Sequence, residues 1–183
     1  MIQSRWPICL SGFLVLLALA APAAQAQVLE VELKVKGLAC PFCAYGLEQK
    51  LKKLSGAQAV EVFLDEDRAQ VQFDGPRSPA VDALPRLVHD AGFKLEEVRL
   101  TVRGERAQKA GQAVLLLPDK QMFLLAGEGA GNDLIQKVPP GTTVEVKGTV
   151  ESKQPTGHQG HPPTLRVESY HPVERPGFPA SGD

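Results

Sequence analysis

Cysteine is scarce in this chain, with three residues in 183. That excludes a disulfide-built scaffold, which uses several cysteine pairs to make up for a small core. Aromatic residues are only 5% of the sequence, with a single Trp, too few for the stacking platforms that hold single-stranded nucleic acid. Neither sign of charge is in excess. The 20 Lys and Arg are offset by 21 Asp and Glu, a formal net charge of −1. No strong field exists to draw in nucleic acid or an anionic membrane. Fingerprints of a phosphate loop, a dinucleotide site or a nucleophile elbow are also missing. Long apolar runs are reduced to one, from Leu10 to Ala21.

That run follows Arg5 and precedes Ala24-Gln25-Ala26, the positive, apolar and small-residue order of a secretory signal. It is short for the roughly 20 residues that span a bilayer. Residues 1–26 are therefore expected to be a signal peptide cleaved before Gln27, leaving no membrane span. Cys9 departs with it, so Cys40 and Cys43 are the cysteines of the mature chain. The expected location is periplasmic or otherwise extracytoplasmic, where thiols meet oxidising conditions.

From Val28 to Val98 the pattern reads βαββαβ. Leu29, Val31, Leu33 and Val35 alternate with charged residues, the mark of a strand buried on one face. Leu47, Leu51 and Leu54 follow at helical spacing, with Lys50, Lys52 and Lys53 near the end that the helix dipole favours. Val60 to Leu64 and Ala69 to Phe73 read as two strands joined by the polar turn Asp65-Glu66-Asp67. That turn is a place for solvated charges, not for catalysis. Ser78-Pro79 starts a second helix with a stripe of Leu84, Leu87, Val88 and Ala91, in which Pro85 forces a kink or a later start. The alternation slips between Leu95 and Val98, which a bulge explains, or, the favoured reading, a strand that passes into the next domain. Strand patterns continue at Arg99–Glu105, Ala113–Leu117, Met122–Ala126, Thr143–Val150 and Leu165–Tyr170, enough for a small barrel. The fold expected is α+β: a ferredoxin-like domain at 27–98, a small β-barrel at 99–171, and a disordered tail at 172–183.

The chemistry concentrates in Gly37-Leu38-Ala39-Cys40-Pro41-Phe42-Cys43, between the first strand and the first helix. Thiols three positions apart at a helix N-terminus can serve one point outside the fold. The dipole and free N–H groups favour the thiolate there, and the thiolate is both nucleophile and metal ligand. Thiolates select soft ions. Two of them suit Cu(I) or Hg(II), with Zn(II) or Cd(II) also possible, whereas structural zinc normally takes four protein ligands. The same Cys-Pro-Phe-Cys also fits thiol–disulfide exchange, and a plain structural disulfide is a third reading.

With this motif inside a βαββαβ frame, the segment from Val28 to Val98 resembles the heavy-metal-associated domain family of metallochaperones and mercury-scavenging proteins. Gly37, Ala39, Cys40 and Cys43 match its G-M-x-C-x-x-C loop, and Leu38 stands in the place of Met. The resemblance implies that Cys40 and Cys43 ligate one metal ion and pass it on by ligand exchange. It implies a metal carrier and not an enzyme, its partner a membrane metal transporter or another carrier. Phe93 aligns with the aromatic or Lys that the family sets beside the site, so Leu38 and Phe93 are expected to wall off the ion and Lys94 to be displaced. The second half resembles small oligonucleotide/oligosaccharide-binding (OB-type) barrels through Gly141–Val150 and Leu165–Ser169, which implies no site residue and suggests a docking or spacer module. His158, His161 and His171 are the remaining ligand candidates, for Cu(II) or Zn(II), unless they are simply solvated. His89 is expected at the surface.

Overall fold

The computed structural model of the chain describes residues 27–74, 79–126, 129–151 and 162–173. The expected signal peptide, His158, His161 and most of the expected tail lie outside the described residues.

The first strand, β1 (Gln27–Lys36), is the centre of the N-terminal half. Its apolar residues Val31, Leu33 and Val35 are fully buried. After it come α1 (Pro41–Leu51), β2 (Ala57–Phe63), β3 (Arg68–Phe73), a 3-10 turn (Val81–Ala83), α2 (Leu84–Asp90) and β4 (Lys94–Lys109). The order β2-β3-β1-β4, antiparallel throughout, makes this half a ferredoxin-like βαββαβ unit. Leu47 and Leu51 of α1 and Leu84 and Val88 of α2 share the core with the strands. The opposite face of the sheet carries Glu32, Lys34, Glu66, Arg68, Glu97 and Arg99 around a shallow polar hollow.

The structure decides two points that the sequence pattern left open. The second helix starts late: Ser78 lies outside the described residues and Pro79 is not helical. A 3-10 turn at Val81 comes first, and Pro85 sits in the opening turn of α2, where its missing N–H removes no helical bond. The slip between Leu95 and Val98 is a bulge: Val35 faces Leu95 while Lys34 faces Glu97, leaving Glu96 over. The strand also runs on, so the two explanations hold together.

β4 is 16 residues long. Its first part pairs with β1, and its later part with β5 (Gln112–Leu116) and β7 (Thr143–Glu151). β5 pairs with β6 (Met122–Ala126), β6 runs parallel to β8 (Thr164–Pro172), and β8 returns to β7. The circuit β4-β5-β6-β8-β7-β4 closes a five-stranded barrel, which removes the free strand edges. Val102, Leu115, Phe123, Val144, Val146 and Leu165 are buried in it. Their cluster is continuous with that of the ferredoxin-like half.

Gly148 lies at the β7–β8 register shift, where an added Cβ would come within 2.2 Å of the Arg166 carbonyl oxygen; a side chain has no room there. A third helix, α3 (Ala130–Lys137), lies between the strand patterns Met122–Ala126 and Thr143–Val150, where the sequence pattern showed no element. It is short and buries only Gly131 and Leu134, too little for an apolar stripe to show. Arg106, only 6% exposed, donates from Nη2 to the Ile135 carbonyl near the end of this helix, satisfying an oxygen the last turn leaves free. Pro172, expected in the tail, instead ends β8 opposite Val144.

Candidate metal centre

The site grows from the end of β1. Gly37, at φ +97°, turns the chain out of the strand, a conformation that L side chains rarely adopt. Leu38 then returns to the core and is completely buried, worth roughly 2 kcal/mol of apolar burial. The β2–β3 turn grips this loop from outside. The Asp67 carbonyl accepts from the Val35 N–H (2.8 Å), and the Asp67 carboxylate accepts from the Leu38 N–H (3.1 Å). Asp67 itself sits at φ +49°, a position Asp tolerates better than most residues. One acidic residue thus fixes both ends of the turn leading to the cysteines. From sequence Asp67 read only as a solvated turn residue; an acceptor this far along the chain leaves no mark in spacing.

Cys40 is the N-cap residue of α1, with extended backbone (φ −105°, ψ 117°), and its side chain makes no capping bond. Pro41 opens the helix, and Cys43 lies in its first turn. Both cysteines carry free thiols; Cys40 is partly exposed and Cys43 exposed. No acidic residue stands in that turn, so nothing opposes negative charge at the positive end of the dipole.

The two thiols are not equivalent. The Cys43 side chain, the Cys43 N–H and the Phe42 N–H stabilise negative charge on Cys40 and hold it below the ordinary thiol range. The same bond raises Cys43, helped by partial desolvation and by the charge on Cys40. Cys40 is therefore the more acidic thiol of the pair. The helix-end argument therefore applies to the first cysteine and reverses at the second, because two anions so close repel.

Leu38 and Phe93 do not form an exposed wall. Leu38 belongs to the core, and Phe93 is partly buried and packed against it. Besides Leu64 of the β2–β3 turn, 38% exposed, the exposed apolar side chains at this end are Phe42, 90% exposed, and Tyr45, 61% exposed. Their burial could not be judged from periodicity, since both fall among apolar neighbours. Lys94 begins β4 opposite Lys36 of β1. His89 is exposed, with its ring 3.7 Å from Asp90. His171 is exposed on β8, opposite Glu145. Among the described residues no three His, Cys, Asp or Glu side chains gather as a metal-binding group. A site built here has two sulfurs, and the described residues bring no third ligand to it.

A ferredoxin-like unit with a free dithiol at the loop before its first helix is the class of protein that fold and site define. The heavy-metal-associated domain family model matches residues 32–94. A COP-associated protein of Helicobacter felis is 31% identical over 67 residues, 37% of this chain and 98% of the relative. A copper chaperone CopZ of Staphylococcus haemolyticus is 30% identical over 64 residues, 35% of this chain and 93% of the relative. Among solved structures, oxidized MerP from Ralstonia metallidurans is 28% identical, covering 37% of this chain and 92% of that one, with a TM-score of 0.33. The chain belongs to the heavy-metal-associated domain family through its N-terminal unit. The relatives named here leave the barrel uncovered.

Proposed function

We propose that this protein is an exported, non-enzymatic carrier that binds one soft metal ion between Cys40 and Cys43 and surrenders it by ligand exchange. The observation that carries the reading is the free thiol pair at the start of α1, partly exposed and exposed, with no acidic residue in the first turn of the helix. Such a pair has a ready thiolate and a second sulfur that loses its proton when the ion arrives. Two sulfurs suit Cu(I), the first choice given the copper chaperones among the relatives, or Hg(II); Zn(II) and Cd(II) fit less well without further ligands. The ion is cargo, and its recipient is a membrane metal transporter or another carrier. The location is periplasmic, resting on the leader-like order of residues 1–26. No helix among the described residues is long and apolar enough to cross a membrane.

We read the barrel as OB-type. Its circuit, the parallel β6–β8 pair, and α3 placed between its third and fourth strands support that. Its role in this reading is a rigid spacer or docking module. Titration of the reduced mature protein with Cu(I) and Hg(II) tests the carrier reading, with Cys40→Ser and Cys43→Ser as controls. One ion per chain, lost in both variants, is expected; equal affinity in either variant would refute it.

The asymmetry of the thiols also favours a second reading, thiol–disulfide exchange with Cys40 as the attacking thiolate. Catalytic turnover of insulin disulfides would support this instead, and stoichiometric metal uptake without turnover supports the carrier.

A further inference from the structure

We propose that the outer face of the β5–β6 hairpin is a self-association surface, on which a second copy of this chain packs sheet to sheet. The inference goes beyond the carrier reading and does not involve the cysteines. A strand with one face in water alternates apolar with polar residues, as β7 does with Val144 and Val146 inside and Glu145 and Lys147 outside. β5 and β6 break that rule. Ala113 to Leu117 and Met122 to Ala126 contain no polar residue. Leu115, Leu117, Phe123 and Leu125 belong to the core, so the side chains between them point outward. Those are Val114, Leu116, Met122, Leu124 and Ala126, extended by Ala107 of β4, which pairs with Val114. Val114 is 1% exposed and the other five are half-buried. None of the six belongs to the main core or packs against it. They form a separate apolar cluster on the outside of the barrel.

Register and charge choose the occupant. Ala107, Val114 and Leu124 lie side by side in one row across three strands. A two-fold axis along that row stacks two copies face to face with their strands nearly aligned, as packed sheets prefer. Val114 then meets Val114, and Leu124 meets Leu124. On each strand, the positions two residues to either side of the row exchange places. Met122 falls opposite Ala126, large against small, and Leu116 opposite Gln112. On β4 the exchanged residues are Glu105 and Lys109, so each copy's carboxylate meets the other's ammonium at the rim. Both are exposed, and neither has an ion pair with the described residues. An axis along the strands instead lays β4 on β6 and sets both charges against apolar side chains, which is unfavourable. Nine positions at sheet spacings cover roughly 300 Å², short of the roughly 800 Å² per side of a lasting interface. The dimer is therefore reversible. A membrane is a poor fit, since interfacial binding uses aromatics and an excess of basic residues, and this face has neither.

The test is sedimentation of the reduced, metal-free mature protein over a hundredfold range of concentration. A reversible monomer–dimer equilibrium is expected, equally strong in the Cys40→Ser/Cys43→Ser double variant. Glu105→Lys and Lys109→Glu each set like charges together and should weaken the dimer at least fivefold. The combined Glu105→Lys/Lys109→Glu swap restores both pairs with their signs reversed and should recover wild-type association. Both positions are exposed, so these variants keep the fold. Leu124→Glu, on the axis, should abolish the dimer with the circular dichroism unchanged. Wild-type protein that stays monomeric throughout would overturn the proposal. So would a dimer lost with the cysteines, single swaps without effect, or a double swap no better than the single ones. Wild-type binding to vesicles of anionic phospholipid that Leu124→Glu abolishes would assign the face to a membrane and overturn it too. The carrier reading is decided separately, by Cu(I) uptake.

Discussion

The two halves of this chain share one strand and one core, yet they treat their surfaces in opposite ways. The barrel closes on itself, covers its strand edges, and uses its buried Arg106 to cap its own helix. The ferredoxin-like half leaves an edge strand in β2, and at one end it leaves two thiols and two aromatics in the open. Its sheet face behaves like the barrel: Arg99 lies within 3.4 Å of Glu32, Glu97 and Glu168, the last on β8. Gln121, from the β5–β6 turn, donates to the Pro79 carbonyl across the two halves. Internal pairing marks the parts that hold shape, with the Nε groups of Arg99, Arg103 and Arg106 the buried side-chain nitrogens among the described residues that make no hydrogen bond. The thiols and aromatics left in the open are where a partner or an ion has something to gain.

That contrast can be broken in graded steps. The largest effect expected is on metal affinity: Cys40→Ser or Cys43→Ser lowers Cu(I) affinity by at least a thousandfold in chelator competition, with the thermal transition unchanged. Next is the shared core. Gly148→Val in the barrel forces β7 from β8 and is expected to cost about 3 kcal/mol or more, as overpacking and lost pairing add. Because β4 belongs to both halves, denaturation should remain one transition when far-UV circular dichroism is compared with the NMR signals of Leu47 and Val146, buried one in each half. Two separated transitions would mean that the halves are independent. Asp67→Ala is expected to cost about 1 kcal/mol and to weaken metal retention severalfold, while Asp67→Asn, which keeps an acceptor, restores most of both. Arg99→Ala is the smallest, within about 1 kcal/mol in denaturant, since the ion pairs are partly exposed.

The pH dependence follows from the unequal thiols. Cys40 is held low, so it stays anionic to more acidic pH than an ordinary thiol. Cys43 is held high, so its proton remains until the ion displaces it. Metal affinity should therefore rise with pH up to the raised Cys43 titration, steepening below the lowered Cys40 titration, where both protons must leave. Alkylation rates in Cys43→Ala should show the Cys40 titration moving upward, having lost its donor.

Much of the architecture was legible because alternation and helical spacing report burial directly. Leu33, Val71, Leu47 and Val146 all lie inside as their periods required. The cysteine pair was legible because its spacing and position carry the chemistry themselves. What stayed hidden depended on contacts distant in sequence or on elements too short to have a period. α3 has one buried large side chain, Leu134. The Asp67 grip spans 29 positions to Leu38. Phe93 and Phe42 carry the same side chain, and only packing decides that one covers the core while the other faces outward.

Sulfur X-ray absorption of the mature protein loaded with one equivalent of Cu(I), combined with proton release on loading, tests the central claim most directly. Two sulfur–copper bonds per ion are expected. The release should be a single proton between the two thiol titrations and both protons below the lower one. Copper bound through nitrogen or oxygen with both thiols still protonated would contradict the account.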